Sequence, residues 1–238
     1  MLREISISDQ FCGPPNSGNG GYTCGRLANY IEGPAEVTLR QPPPLGTRLI
    51  ISGDPTEKLA LMKDDKLVAE AKPATVGLEI DTAPSIKEAT AASKNFTGFD
   101  EHPFPTCFVC GTNRSSGDGL RLFPGRLKNS DRVAAPWNPD TSLAQDNIIK
   151  PEFIWAALDC PGSYGVMKSL SEPIVLGRMA THIISDVTPN QTYTVTGWSL
   201  GIEGRKHYAG TALYAPSGEL VAYARATWIL LGKVLSSS

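Results

Sequence analysis

Strict alternation of apolar and polar residues recurs in both halves of the chain and predicts half-buried antiparallel strands. In the first half, the alternation covers residues 35–40 and 47–52 and then a hairpin over residues 59–71. In the second half, the predicted strands cover residues 131–137, 178–187, 192–200, 206–215 and 219–231.

Two longer segments lack this alternation and predict helices. Residues 22–32 follow a turn-rich loop, and Gly33 and Pro34 stop the pattern as expected at a helix C-terminus. Residues 151–160 begin with a proline, which is favoured in the first turn of a helix. Pro161 lies next, and we expect it to kink or end this helix. A short exposed helix is also predicted within residues 85–95.

The order of elements is the same in the two halves: a short strand, a helix and then a set of alternating strands. The similar strings at residues 67–71 (LVAEA) and 220–224 (LVAYA) occupy matching places. One helix followed by antiparallel strands, written twice, predicts an α+β fold in which a sheet wraps a helix. On this basis the chain divides into a first unit (1–76), a connecting segment (77–125) and a second unit (126–238).

Charge and composition exclude several classes of partner. The 22 lysine and arginine residues nearly balance the 24 aspartate and glutamate residues, giving a net charge of -2. A broad basic surface for nucleic acid is therefore not expected. No run approaches the ~18 apolar residues of a membrane span, and no apolar leader follows Met1. The odd number of cysteines and their irregular spacing predict reduced thiols in a cytoplasmic protein.

Three stretches of the chain resemble the hotdog-fold thioesterase superfamily. They are residues 19–21 (NGG) before the first helix, residues 156–159 (AALD) within the second, and the ending over residues 204–228. The resemblance covers about residues 6–232, and each half has about the length of one hotdog unit. It therefore implies a fused double hotdog, with two antiparallel sheets each wrapped around a central helix, as a pseudo-dimer in one chain.

In many members of this superfamily, a pair of glycines begins the central helix and a catalytic carboxylate lies eight residues after the first glycine. The first half has Gly20 and Gly21 but carries Ala28 at the carboxylate position. The second half has the carboxylate, Asp159, but carries Pro151 at the glycine position. The two departures are complementary, so the resemblance implies one composite active site per chain.

The residues of that composite site have the chemistry that thioester hydrolysis needs. The amides of Gly20 and Gly21 would stabilise the carbonyl oxygen as it becomes negative. Asp159 would activate a water molecule or attack the carbonyl itself, and Asn19 would position the water or hold the carbonyl. The implied activity is hydrolysis of acyl-CoA or of acyl groups on a carrier protein, with CoA only as part of the substrate and no separate cofactor.

The resemblance also implies a small-molecule partner, an acyl thioester. We expect Tyr22, Phe153 and Trp155 to line the acyl pocket, and Arg205 to meet the phosphates of a CoA-like carrier at a sheet edge. Exposed edges would allow a homodimer of such chains. The alternatives are a protein of the same fold that binds acyl thioesters without cleaving them, and a pseudo-dimer that serves only as a partner surface.

The spacing of Cys107 and Cys110 is that of a metal-binding knuckle, and His102 lies five residues upstream. A zinc site needs further ligands, and the chain has no second pair of cysteines at this spacing. Only folding could complete the site, with Cys12, Cys24 or Cys160. We therefore expect no metal, and we interpret these cysteines as small buried groups in a tight loop.

Overall fold

The computed structural model describes residues 3–231, in which thirteen strands and three α-helices are formed. The helices are α1 (Gly20–Ala28), α2 (Ile86–Ser93) and α3 (Pro151–Val166), and short 3-10 turns cover Asp9–Phe11, Thr97–Phe99 and Thr141–Leu143. The strands are β1 (Arg3–Ser6), β2 (Ala35–Leu39), β3 (Arg48–Asp54), β4 (Lys58–Lys63), β5 (Lys66–Pro73), β6 (Gly125–Arg126), β7 (Val133–Trp137), β8 (Ala144–Gln145), β9 (Ile148–Ile149), β10 (Ile174–Ile183), β11 (Tyr193–Glu203), β12 (Lys206–Tyr214) and β13 (Leu220–Leu230).

Eleven of the strands form one continuous antiparallel sheet in the order β1-β3-β4-β5-β2-β10-β13-β12-β11-β7-β6. First-half strands occupy one side of this order and second-half strands the other. The expected division into two sheets is therefore not what the structure shows. Strand β2 pairs with β10, and Val37 lies opposite Met179, both fully buried. This pairing satisfies backbone groups that two separate sheets would leave open at their edges.

Helices α1 and α3, one from each half, cross in close contact beside the sheet. The crossing depends on two glycines of α1. A Cβ atom on Gly21 would lie 2.5 Å from Cβ of Asp159, and one on Gly25 would lie 2.6 Å from Cα of Glu152. Because neither glycine has a side chain, the two helices approach closely enough to bring the start of α1 against the middle of α3.

The helix that contains Pro161 continues to Val166, so the helix does not end at this proline. Every residue from Glu152 to Val166 is buried, which shows that packing holds this segment in place. On β11, Gly197 leaves room for the carbonyl of Pro161, since a Cβ there would lie 2.0 Å from that oxygen. Tertiary contacts therefore outweigh the helical hydrogen bond that proline removes.

The segment that connects the two halves forms α2 and then a loop that packs against the start of the chain. The amide of Phe108 donates to the carbonyl of Cys12 (2.8 Å). The amides of Leu120 and Leu122 donate to the carbonyls of Phe108 and Val109, respectively (2.9 Å each). The Arg114 guanidinium also donates to the carbonyls of residues 10, 106 and 118. These bonds fix the loop beside α1.

No helix in residues 3–231 is both long enough and apolar enough to cross a membrane.

Candidate active site

Asp159 lies in the middle of α3 and faces the N-terminus of α1. Its side chain is only 2% exposed. One carboxylate oxygen, Oδ2, accepts hydrogen bonds from the Gly21 amide (3.0 Å) and from Nδ2 of Asn19 (2.9 Å). The other oxygen, Oδ1, is buried and has no hydrogen-bond partner among the described residues. The fold thus brings together the carboxylate of one half and the helix start of the other.

Asn19 is the N-cap of α1, and both ends of its side chain are used. Its Oδ1 accepts a hydrogen bond from the amide of Tyr22 (2.8 Å), as an N-cap residue is expected to do. The Nδ2 group is therefore turned toward Asp159. The cap consequently stabilises the helix and orients the donor that holds the carboxylate.

Burial determines the acidity of Asp159. Loss of solvent around the carboxylate raises its pKa to about 7, although the hydrogen bond from the Gly21 amide and that from Asn19 both act to lower the pKa. Proximity to Cys107 adds to the rise. A carboxyl group in this environment exchanges a proton near neutral pH, which is the property expected of a general base.

Asp159 lies at the wall of a cavity of about 380 Å³. Asn19 and Gly20 line the same cavity, and residues of β10 and β13 contribute apolar walls: Ile174, Leu176, Trp228 and Ile229. Sequence reasoning missed these wall residues. Alternation of apolar residues identified the inward face of each strand, but it could not show which inward residues border a space rather than pack against a helix.

The Gly20 amide is the available donor at this end of the cavity. Gly20 is the first residue of α1 and is half-buried, and its amide has no acceptor among the described residues. The Gly21 amide was expected to face the substrate as well, but it donates to Asp159 instead. The site therefore pairs one free backbone donor with a carboxylate that a second backbone donor holds in place.

Three thiols line the same cavity. The Sγ atoms of Cys107, Cys110 and Cys160 all lie within 4.8 Å of one another, and the Cys107–Cys160 distance is 3.8 Å. Hydrogen bonds from the other two thiols hold the pKa of Cys107 well below its ordinary value. The three cysteines are buried, as expected from the sequence. The contact of Cys160 with Cys107 and Cys110 could not be predicted, because the residues around Cys160 in the sequence do not indicate it.

His102 and Tyr164 are two further polar residues of the cavity wall. The Phe104 amide donates to Nδ1 of His102 (2.9 Å), so Nε2 carries the proton and donates to the Tyr164 hydroxyl (3.2 Å). Burial lowers the pKa of His102 and raises that of Tyr164. Both groups are therefore neutral around pH 7.

The residues expected to bind substrate lie outside this cavity. Tyr22 and Phe153 line a different cavity of about 460 Å³, and Trp155 is buried between the two crossing helices. Arg205 lies in the turn between β11 and β12, where its Nε donates to the carbonyl of Leu230 (3.1 Å). A cation that does line the Asp159 cavity is Arg40, at the end of β2.

No protein-family model matches the sequence, and no curated protein matches it. Solved structures, however, match the fold over nearly the whole chain. The tesB protein of Mycobacterium avium subspecies paratuberculosis has a TM-score of 0.63 at 13% identity, covering 97% of this chain and 96% of that chain.

Two further solved structures share the fold over nearly the whole chain. The acyl-CoA thioesterase II TesB2 of Mycobacterium marinum has a TM-score of 0.60 at 10% identity, covering 97% of this chain and 93% of that chain. A conserved hot dog fold protein of Alicyclobacillus acidocaldarius has a TM-score of 0.61 at 10% identity, covering 98% of this chain and 97% of that chain. The chain is therefore a hotdog-fold protein with the full-length fold of the TesB-type thioesterases.

Proposed function

We propose that this protein hydrolyses acyl thioesters, with acyl-CoA as the substrate class. The observation that carries the proposal is the buried Asp159 carboxylate beside the free Gly20 amide at one end of an apolar cavity. The reaction consumes one water molecule and yields a carboxylic acid and a free thiol. The solved structure named as an acyl-CoA thioesterase shares the fold and supports this substrate class by analogy.

The arrangement of donors supports Asp159 in the role of general base. Its Oδ2 is already engaged by Asn19 and Gly21, which leaves Oδ1 to accept a hydrogen bond from water. The water transfers a proton to Asp159 as its oxygen attacks the carbonyl carbon. The C–S bond then breaks, and the leaving thiolate takes up the proton that Asp159 had accepted, which regenerates the carboxylate.

The Gly20 amide has the complementary role of stabilising the carbonyl oxygen. As that oxygen becomes negative, it would accept a hydrogen bond from Gly20 at the positive end of the α1 dipole. The acyl chain would then lie along the apolar wall that Leu176, Trp228 and Ile229 form. Arg40 follows β2, lines the cavity and is half-exposed. Its guanidinium would bind the phosphates of CoA.

We propose one such site per chain because the other end of the α1–α3 crossing, near Glu152, differs from the Asp159 end. There, Pro151 begins α3 without an amide hydrogen, and α1 carries Ala28 at the position that corresponds to the carboxylate. The neighbouring residues form a structural contact instead, since Nδ2 of Asn29 donates to Oε2 of Glu152 (2.8 Å). This end of the helix pair therefore lacks a helix-start amide at the position of Gly20 and a carboxylate at the position of Asp159.

The test is thiol release from a panel of acyl-CoA compounds with short, long, branched and aromatic acyl groups. Wild type should release thiol, and Asp159→Asn should reduce the rate ~100-fold or more because the amide cannot accept the proton. The matched control is Asp186→Asn, which changes an exposed carboxylate and should leave the rate unchanged.

Two results would contradict the proposal. Equal release by wild type and Asp159→Asn would remove this carboxylate from the mechanism. No release by wild type, together with tight binding of an acyl-CoA, would instead show a protein that binds acyl thioesters without cleaving them.

A further inference from the structure

Three buried thiols from two distant parts of the chain meet beside the candidate active site. Cys107 and Cys110 belong to the loop after α2, whereas Cys160 belongs to α3. All three side chains are buried, and no histidine, aspartate or glutamate of residues 3–231 joins their group. The cluster has no part in the hydrolysis proposed above, which uses Asp159 and the Gly20 amide.

The distances within the cluster match those of a metal site with sulfur ligands. A zinc ion binds thiolate sulfur at about 2.3 Å in tetrahedral geometry, so two of its sulfur ligands lie about 3.8 Å apart. The Sγ atoms of Cys107 and Cys160 are 3.8 Å apart, and all three sulfurs lie within 4.8 Å of one another. A disulfide would instead require two of the sulfurs at about 2.05 Å.

The surrounding chain holds these sulfurs in position. The turn closes with a hydrogen bond from the Gly111 amide to the Cys107 carbonyl (2.9 Å), and a Cβ on Gly111 would lie 2.4 Å from that oxygen. Nδ2 of Asn19 lies 3.9 Å from the Cys107 sulfur and can donate to a thiolate there. A positioned donor near a ligating sulfur is typical of the shell around metal ligands.

We propose that Cys107, Cys110 and Cys160 together bind one thiophilic divalent cation, of which Zn²⁺ is the representative. All three residues line the cavity, which leaves space beside the ion for a fourth ligand that is not a protein side chain. This is the arrangement of zinc sites that keep one position open. The cation would also join the loop to α3, because its ligands come from both.

The metal proposal is tested by titrating Co²⁺ into protein that has been reduced and stripped of metal. Thiolate ligation to Co²⁺ gives an absorption band that measures binding directly, without reference to hydrolysis. Wild type should bind one Co²⁺ per chain, and one equivalent of Zn²⁺ should abolish the band. Each of Cys107→Ser, Cys110→Ser and Cys160→Ser should weaken Co²⁺ binding at least ~10-fold, since one ligand is lost.

Two other cysteines provide matched controls. Cys24 is buried on α1 and Cys12 is partly exposed, and neither belongs to the cluster. Cys24→Ser and Cys12→Ser should therefore bind Co²⁺ as wild type does. Equal binding by the cluster variants and these controls, or less than half an equivalent bound to wild type, would overturn the proposal.

A measurement on wild type alone covers the case in which a cluster variant does not fold. X-ray absorption of the zinc-loaded protein should show three sulfur neighbours at about 2.3 Å. A first shell made only of nitrogen and oxygen would overturn the proposal. Failure of hydrolysis would not affect either measurement, so the two proposals are judged separately.

Discussion

At the scale of single residues, Asn19 shows how one side chain serves both helix and site. Its oxygen caps α1 through Tyr22, and its nitrogen donates to the buried Asp159. Helix capping is a local property of the chain, whereas contact with a residue 140 positions away is not. The asparagine before the glycine pair was predictable as a helix start, but its bond to the carboxylate requires the tertiary fold.

Replacement of Asn19 by alanine should therefore cost more stability than loss of a cap alone. We expect Asn19→Ala to lower the free energy of unfolding by about 2–4 kcal/mol, as the sum of a lost cap and a lost donor to a buried carboxylate. Ser85→Ala removes the exposed N-cap of α2 and should cost about 1 kcal/mol. Urea unfolding measures both, and equal losses would contradict the dual role of Asn19.

A second residue-scale prediction concerns Glu70 on β5. This side chain is 14% exposed and lies between Arg40 and Lys58, whose positive charges and hydrogen bonds hold the pKa of Glu70 below its ordinary value of 4.5. A lowered pKa means that the ion pair stabilises the fold above pH 4.5 and that this stabilisation is lost as the pH falls further.

Glu70→Gln should therefore be less stable than wild type at pH ~7, and the difference should shrink in acid as Glu70 is protonated. Urea midpoints of the two proteins at several pH values measure this difference. Glu57→Gln, which changes an exposed glutamate with no ion pair among the described residues, serves as the control. A difference between wild type and Glu70→Gln that is constant with pH would contradict the prediction.

At the scale of elements, the crossing of α1 and α3 depends on the absence of side chains at two positions. Alanine in a helix is favoured over glycine by up to ~1 kcal/mol, so Gly21→Ala would stabilise an isolated helix. Here, the added methyl would meet Asp159 Cβ at 2.5 Å and the Trp155 carbonyl at 2.7 Å. Overpacking of this kind typically costs ~1–3 kcal/mol, which exceeds the gain.

We therefore expect Gly21→Ala to be less stable than wild type in urea unfolding and to lose thiol release because Asp159 is displaced. The control is Gly77→Ala, where an added Cβ would meet no atom within 4 Å. That variant should be as stable as wild type or slightly more stable. A stable and fully active Gly21→Ala would show that the helices can move apart without harm to the site.

The elements themselves were largely predictable, because their signals are local. The alternation that predicts the hairpin over residues 59–71 is a property of neighbouring residues, and β4 and β5 form there. The continuation of α3 through Pro161 was not predictable, since it depends on β11, and the pairing of β2 with β10 depends on residues about 140 positions apart. The contact of Cys160 with Cys107 was also not predictable, because these residues are 53 positions apart in the sequence.

At the scale of the whole molecule, the two halves are joined twice, by the pairing of β2 with β10 and by the crossing of α1 with α3. Separation of the halves would expose buried residues such as Val37 and Met179. We therefore expect the chain to unfold in one cooperative transition rather than half by half.

Two probes test this expectation. The four tryptophans, at positions 137, 155, 198 and 228, all lie in the second half, so their fluorescence reports on that half. Far-ultraviolet circular dichroism reports on the sheet of both halves. The two urea transitions should coincide, and a dichroism change that precedes the fluorescence change would show that the first half unfolds independently.

The placement of the amide donor in one half and the carboxylate in the other has a consequence for how such a chain can change over time. In an assembly of two identical units, any substitution alters both ends of the helix pair at once, so a damaging change leaves no intact end. In a chain that contains both units, each unit has its own sequence, so a substitution alters only one end of the helix pair. Pro151 and Ala28 can thus be retained at one end of the helix pair without loss of Gly20 and Asp159 at the other end. If hydrolysis takes place only beside Asp159, as proposed, the opposite end of the helix pair can be selected for stability alone, and the hydrogen bond from Asn29 to Glu152 lies at that end.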